Sequence, residues 1–368
     1  MNRKPLELYV HIPFCVRKCA YCDFLSSPAS QDVKEQYIRM LLKEIRKSAE
    51  LSEKYEILSV FFGGGTPSIL PGEWLAGILH TLQEQFVFRE DAEITVEANP
   101  GTVDPEKLIR YREAGVNRIS FGLQSSENEE LRLLGRIHTW EQFLDSYHIA
   151  RSAGFTNINI DLMSALPGQT TESFRRTLKR VLKLQPEHIS AYSLIIEEGT
   201  PFYDRYAEHP ELLPDEEDER QMYYDTGAIL REHGYERYEI SNYARPGYAC
   251  RHNLGYWKRT EYKGYGLGAA SLLSEVRTTN QSVLSEYLQG HYEGTREVLT
   301  EQAIREEYFF LGLRKMEGIR PGKYRAHYEK ILEMLIKQQL LEEKDDRICL
   351  TEKGIDLSNY VLAQFLDD

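Results

Sequence analysis

In Leu8-Tyr9-Val10-His11-Ile12-Pro13-Phe14-Cys15-Val16-Arg17-Lys18-Cys19-Ala20-Tyr21-Cys22, a short apolar strand pattern runs into a proline, and three cysteines follow with the spacing C-x3-C-x2-C. Three thiolates on one loop can hold three irons of a cubane [4Fe–4S] cluster and leave the fourth iron open to a small molecule. The same spacing also fits a zinc knuckle with His11 or a distant cysteine as fourth ligand, so other elements must discriminate.

The next strand pattern ends in Phe61-Phe62-Gly63-Gly64-Gly65-Thr66-Pro67. Glycines at the C-terminal end of a buried strand let a ligand approach the backbone and offer bare N–H donors. In parallel-sheet and barrel folds ligands sit at the C-terminal ends of the strands, so the cysteine loop and the glycine run fall on one face. The third strand ends in Glu97-Ala98-Asn99-Pro100, the fourth in Gln124-Ser125 and the fifth at Asp161, with Arg136 twelve residues beyond Gln124. Mid-barrel positions are expected to be apolar, so polar residues at these mouths point to ligand contact. Glu97 suits ribose hydroxyls or an ammonium, and Arg136 suits a carboxylate.

Strand patterns at residues 7–14, 57–62, 93–98, 118–124, 157–162 and 188–196 alternate with helix patterns at 34–49, 72–85, 104–114, 139–152 and 171–184. This predicts an α/β protein built on a partial (β/α)6 barrel, laterally open because six units fall short of eight. Residues 1–200 form the barrel region in this reading, 201–295 an extension, and 296–368 a small winged-helix-like α+β domain whose hairpin spans 340–350. The acidic stretch 210–220 reads as a solvated loop before a helix over 221–232.

The chain has 368 residues, 41% hydrophobic and 28% charged, as in an ordinary globular protein. Its net charge of −13 argues against general nucleic-acid binding. The winged-helix pattern offers only Lys330 and Lys337 in its 328–339 helix, which favours a scaffold or docking role over DNA contact. Of five cysteines, Cys250 and Cys349 lie far from the cluster of three, so a disulfide framework is not expected and a reducing compartment is. No apolar run reaches membrane-spanning length and the start leads directly into the first strand, giving a cytoplasmic expectation. Gly264-Tyr265-Gly266-Leu267-Gly268 lacks the βαβ context of a dinucleotide loop.

Taken together, the cysteine stretch, the glycine run, Glu97, Gln124, Arg136 and the segment Ile160-Asp161-Leu162 through Leu166-Pro167-Gly168-Gln169-Thr170 resemble the radical S-adenosylmethionine (SAM) superfamily. Within it they resemble oxygen-independent coproporphyrinogen III oxidase, and still more the HemW-type heme chaperones. The resemblance implies that Cys15, Cys19 and Cys22 ligate a [4Fe–4S] cluster. It implies that Tyr9, Tyr21, Gly64, Gly65, Thr66, Glu97, Gln124, Arg136, Asp161 and Ile195 contact SAM, whose reductive cleavage would give a 5′-deoxyadenosyl radical. The oxidases carry a further cysteine where Phe24 stands here, and an extension before the first strand; both differences match the chaperones.

Arg251-His252-Asn253-Leu254-Gly255-Tyr256-Trp257 carries H-N-x-x-Y-W, similar to the chaperones' heme motif, with His252 as the implied heme ligand and Cys250 as a rival. The implied partners are heme and an apo-hemoprotein acceptor; a membrane-associated acceptor and a homodimer are both compatible. The activities to separate are heme delivery, oxidative decarboxylation of coproporphyrinogen III, and a non-redox zinc protein.

Overall fold

The computed structural model describes residues 3–367. Six parallel strands alternate with helices through the first half: β1 Lys4–Ile12, β2 Tyr55–Gly64, β3 Val87–Ala98, β4 Arg118–Gln124, β5 Ile158–Ser164 and β6 His188–Ser193. The main helices between them are α1 Gln31–Lys47, α2 Gly72–Gln85, α3 Pro105–Ala114, α4 Asn128–Leu133, α5 Trp140–Ser152 and α6 Thr171–Leu182. Local signals set the ends: Asp104 caps α3 ahead of Pro105, Gly115 closes it in the left-handed region, and Thr139 and Thr170 form capping boxes.

The barrel does not close. Beyond β1 the sheet continues through β9 Tyr262–Tyr265, β10 Ala270–Leu273, β11 Val276–Asn280 and β12 Glu293–Val298; beyond β6 it continues through β8 Asn242–Ala244 and β7 Glu236–Glu239. Both edges of the parallel sheet are thus covered by later strands rather than joined to each other. Leu134 and Gly135, directly after α4, clamp the cysteine loop, and α4 itself, six residues long, is too short to show a helical period in the sequence.

Each parallel strand has two chemically distinct faces. Leu6, Leu8, Val10, Val60, Phe62, Ile94, Val96, Ile119, Phe121, Ile158, Ile160 and Ile189 pack under the helices in one large core. The alternate residues face the lumen, and they are polar at mid-strand as well as at the mouths: Glu7, Ser59, Glu93, Thr95, Arg118, Ser120, Asn159, His188 and Ser190 are all buried. The expectation of an apolar barrel interior is therefore wrong. The sheet is open and its lumen holds a network of polar groups, so the period-2 alternation reflects a helix side and a polar side.

The acidic stretch also departs from its reading as a loop. Glu216–Glu232 is one helix, N-capped by the Asp215 side chain, which accepts from the Asp218 N–H at 2.8 Å. Carboxylates in a first turn are favoured by the helix dipole, which charge-run reasoning left out.

A second core lies in the C-terminal region. Phe309, Leu313, Tyr328, Leu332, Leu335, Ile348, Val361 and Phe365 pack together, and β13 Leu341–Lys344 pairs with β14 Arg347–Leu350 as the hairpin. Glu307, on the helix Glu301–Gly312, ties this region to the sheet edge: it accepts from Arg259 Nε at 2.9 Å and from Arg277 on β11 at 2.7 Å. The Arg259 and Glu307 side chains are 10% and 7% exposed. Removing one partner of such a pair strands a buried charge. Glu307→Ala is expected to cost about 3 kcal/mol in urea unfolding, and Glu307→Gln less; an unchanged midpoint for the alanine variant would show that Glu307 does not join the two regions.

Candidate functional site

A cavity opens at the C-terminal ends of the parallel strands. Its wall includes Cys15, Cys19, Tyr21, Cys22, Gly64, Gly65, Thr66, Glu97, Gln124, Arg136, Asp161 and Ile195, so the structure gathers twelve of the fourteen residues singled out in the sequence. Tyr9 and His252 are the two it leaves out of the wall.

The cysteine loop is held by contacts from outside itself. Cys15 N–H donates to Ser27 O at 3.2 Å, Ala20 N–H to Leu134 O at 3.0 Å, and Phe202 N–H to Ala20 O at 3.0 Å. Arg17 adds a bond to Gly135 O at 2.7 Å. All three cysteines are free thiols, half-buried on the cavity wall. The side chains of Cys15 and Cys19 are joined by a chain of hydrogen bonds. Thr66 Oγ1 donates to Cys15 Sγ at 3.5 Å, Asn99 Nδ2 to Thr66 Oγ1 at 2.9 Å, Arg136 Nη2 to Asn99 Oδ1 at 2.6 Å, and Arg136 Nη1 to Cys19 Sγ at 3.6 Å. Asn99 is the link the sequence did not flag, because a single asparagine after a strand carries no motif.

The glycine run serves the same loop. Gly65 N–H donates to Ile12 O at 2.9 Å and Thr66 N–H to Phe14 O at 2.8 Å, so these donors are spent on the strand that leads to Cys15 rather than left bare for a ligand. A Cβ at Gly65 would lie 2.6 Å from Phe14 O, and at Gly64, with φ +107°, 2.4 Å from the His11 ring. Glycine is required here by close packing as well as by backbone conformation. His11 itself is fully engaged, Nε2 donating to Leu25 O at 2.9 Å and Nδ1 lying 2.9 Å from the Tyr9 hydroxyl, so it is not available as a fourth metal ligand. Tyr9 stacks on Phe61 and lies behind Gly63, one layer below the cavity wall.

The same wall carries two carboxylates, Glu97 and Asp161. Burial, then the nearby Asp161 carboxylate, pushes Glu97 up to about 8, against the opposing Gly64 N–H and Arg118. Asp161 is likewise raised by burial, although Asn159 Nδ2 donates to it at 2.7 Å and Ser120 Oγ at 3.3 Å. Two carboxylates that resist ionising together gain most from a cation placed between them. Gln124 sits at the mouth with φ +74°, outside the usual range for its type, and accepts from Tyr192 at 3.3 Å. Phe24 and Ile195 stand exposed at the rim, 64% and 68% accessible.

His252 lies in the lumen beneath this cavity, on the helix Arg251–Trp257 packed against β1–β3. Its Nδ1 is 2.8 Å from Ser59 Oγ, its ring stacks on Phe61, and Nε2 has no partner among the described residues. Burial, then Arg118, drives its pKa down to about 3, so the imidazole is neutral. Glu93 caps the start of that helix, accepting from the Arg251 and His252 N–H groups at 3.1 Å and from the Cys250 thiol at 3.4 Å. Burial pushes the Cys250 thiol up and keeps it protonated. Asn253, by contrast, reaches the cavity wall.

A radical SAM superfamily model matches residues 9–181 and a HemN C-terminal domain model matches residues 299–357. Full-length relatives are closer. The chain is 38% identical to the heme chaperone HemW of Lactococcus lactis subsp. lactis, with 100% of this chain and 99% of the relative covered. It is 36% identical to that of Bacillus subtilis (98% and 99% covered). The chain belongs to the HemW heme chaperone family. Among solved structures, coproporphyrinogen III oxidase (HemN) from Escherichia coli, a radical SAM enzyme, matches with a TM-score of 0.85 and 28% identity, over 99% of this chain and 90% of that one. Superfamily membership implies a [4Fe–4S] cluster and SAM. The residues fit: three thiols and two carboxylates suited to a cationic ligand line the same cavity.

The lumen makes a pH prediction for this HemW-family chain. Burial, then Glu93, pushes the pKa of Glu7 up to about 9, against the opposing Ser59 and Lys258. Between the ordinary carboxylate range and about 9 the folded state keeps a proton that the unfolded state has lost, so Glu7 costs stability increasingly as pH rises through that window. Glu7→Gln is expected to add at least ~1 kcal/mol at pH 9 and little at pH 5, in thermal or urea unfolding. A gain independent of pH would refute a buried, protonated Glu7.

Proposed function

We propose that this protein is a cytoplasmic heme chaperone that binds heme and passes it to an apo-hemoprotein, with a [4Fe–4S] cluster on Cys15, Cys19 and Cys22 and SAM against the acidic wall. The observation that carries the reading is full-length similarity to curated heme chaperones, with 98–99% of those relatives covered. Phe24, exposed at the rim where the oxidases have a further cysteine, supports it. Among the described residues no helix is long and apolar enough to cross a membrane.

A cluster with one open iron supplies a docking point for SAM and a source of single electrons. The rest is the work of the chain. Thr66, Asn99 and Arg136 orient two of the cysteine sulfurs. Glu97 and Asp161 hold negative charge for the ammonium or the sulfonium, Gln124 and Tyr192 bound the mouth, and Ile195 shields it from water.

For heme, the neutral imidazole of His252 is in the protonation state a metal needs, and its Nε2 is unpartnered. It is also only 2% exposed, so ligation requires the 251–257 helix to move out of the lumen.

Three measurements test this. Anaerobic reconstitution is expected to give about four irons and matching sulfide per chain, and replacing Cys15, Cys19 and Cys22 by Ala to abolish both; a zinc-only protein would end the reading. Glu97→Gln is expected to weaken SAM binding about tenfold, the loss of one charge-assisted hydrogen bond, with iron content unchanged. An anaerobic Soret titration of wild type is expected to saturate and to weaken or change ligation in His252→Ala. No saturable binding in wild type, together with propionate-to-vinyl conversion of coproporphyrinogen III, would replace the chaperone with the oxidase.

A further inference from the structure

The C-terminal end of the 251–257 helix borders a second cavity, of about 410 Å³, between the barrel and the hairpin domain. Its lining is cationic in a chain whose net charge is −13: Lys258, Arg259, Lys315, Arg320 and Arg347 against the single carboxylate of Glu317. Arg259 is neutralised elsewhere, by Glu275 at 2.6 Å and Glu307 at 2.9 Å. Glu317 is shared, 3.1 Å from Lys315 Nζ and 3.8 Å from Arg347 Nη1. Lys258 and Arg320 are exposed and have no carboxylate within ion-pair distance among the described residues.

The positive charge is thus in excess. Lys315 is held below the ordinary lysine range by burial, and Lys258 and Arg347 push it further in that direction against Glu317. Two aromatic side chains complete the lining. Tyr308 is fixed by donating to Arg320 O at 2.6 Å. The Trp257 ring carries the Arg314 guanidinium on one face at 4.5 Å. Unpaired cations beside two aromatic rings match a flat conjugated ligand that bears paired anions.

We propose that this groove is an anion subsite that takes the paired carboxylates of a porphyrin, with Lys258, Arg320 and Arg347 on the carboxylates and Trp257 and Tyr308 along the ring edge. The identity of the ligand rests on the heme reading above; the groove's charge and shape do not. It would hold the macrocycle by its propionates at the surface end of the helix whose other end buries His252, so capture would not wait for that helix to move.

The test uses the full-length, cluster-reconstituted protein and iron-free protoporphyrin IX, which has the propionates but no iron for a histidine to ligate. Its dimethyl ester serves as the control without anions. Absorbance titrations are expected to show saturable binding of the diacid, at least ~10-fold weaker binding of the ester, and a similar loss for the diacid in the double variant Lys258→Glu, Arg320→Glu. Both substituted side chains are exposed, and unchanged iron content and far-UV signal confirm the fold. Diacid and ester binding alike, a double variant equal to wild type, or inorganic pyrophosphate binding in the groove without porphyrin would each overturn the proposal. Failure of heme to bind while the diacid still binds in a charge-dependent way would remove the chaperone reading and leave the groove.

Discussion

A parallel sheet with one apolar and one polar face is the constraint on which the rest of this structure depends. Leu8, Val60, Val96, Phe121 and Ile160 bury their side chains under the helices, and this apolar face supplies the folding energy. The other face is then free to be polar, and it is, from Glu7 at the bottom to Glu97 and Gln124 at the mouth. A closed eight-stranded barrel fills its interior with packed side chains. Six parallel strands with extended edges leave a lumen that holds a hydrogen-bonded network below and a cavity above.

The lumen has a charge problem that the cavity resolves. Glu7, Glu93, Glu97 and Asp161 share it with the buried Arg118, and desolvation raises Glu7, Glu97 and Asp161 above the ordinary carboxylate range. Nearer the thiols the sign changes, because Arg136 stands beside Cys19. The cavity therefore presents charge of both signs, Arg136 beside Cys19 and Glu97 beside Asp161. The glycine run joins them mechanically, since Gly65 and Thr66 bond the backbone that leads to Cys15.

Much of this was legible beforehand. The spans of α2 and β4 match the structure, and the open sheet follows from six βα units. Twelve of the fourteen flagged residues share one cavity because strand ends in a parallel sheet converge by topology alone. Other readings failed for identifiable reasons. The acidic stretch at 215–219 looked solvated as charge, yet it is the start of a helix capped by Asp215. Helix α4 was too short for its period to register. The mid-strand serines and threonines give no signal in the pattern, because a strand buried on both sides reads as apolar on both.

What the sequence by itself determined is local and topological: the βα alternation, the cysteine spacing, the caps, and the side of the sheet on which the chemistry falls. These depend on the period of the pattern and on the handedness of parallel connections, which neighbours in the chain largely set. Only the tertiary structure decided which polar groups meet across distance. It placed Asn99 between Thr66 and Arg136, put Glu93 over the start of the 251–257 helix, buried His252 against Ser59, and gathered Lys258, Arg320 and Arg347 into one groove. Those contacts join residues up to 193 positions apart, as His252 and Ser59 are. They depend on register and on how strands added at the sheet edges fold back, and no local pattern encodes either.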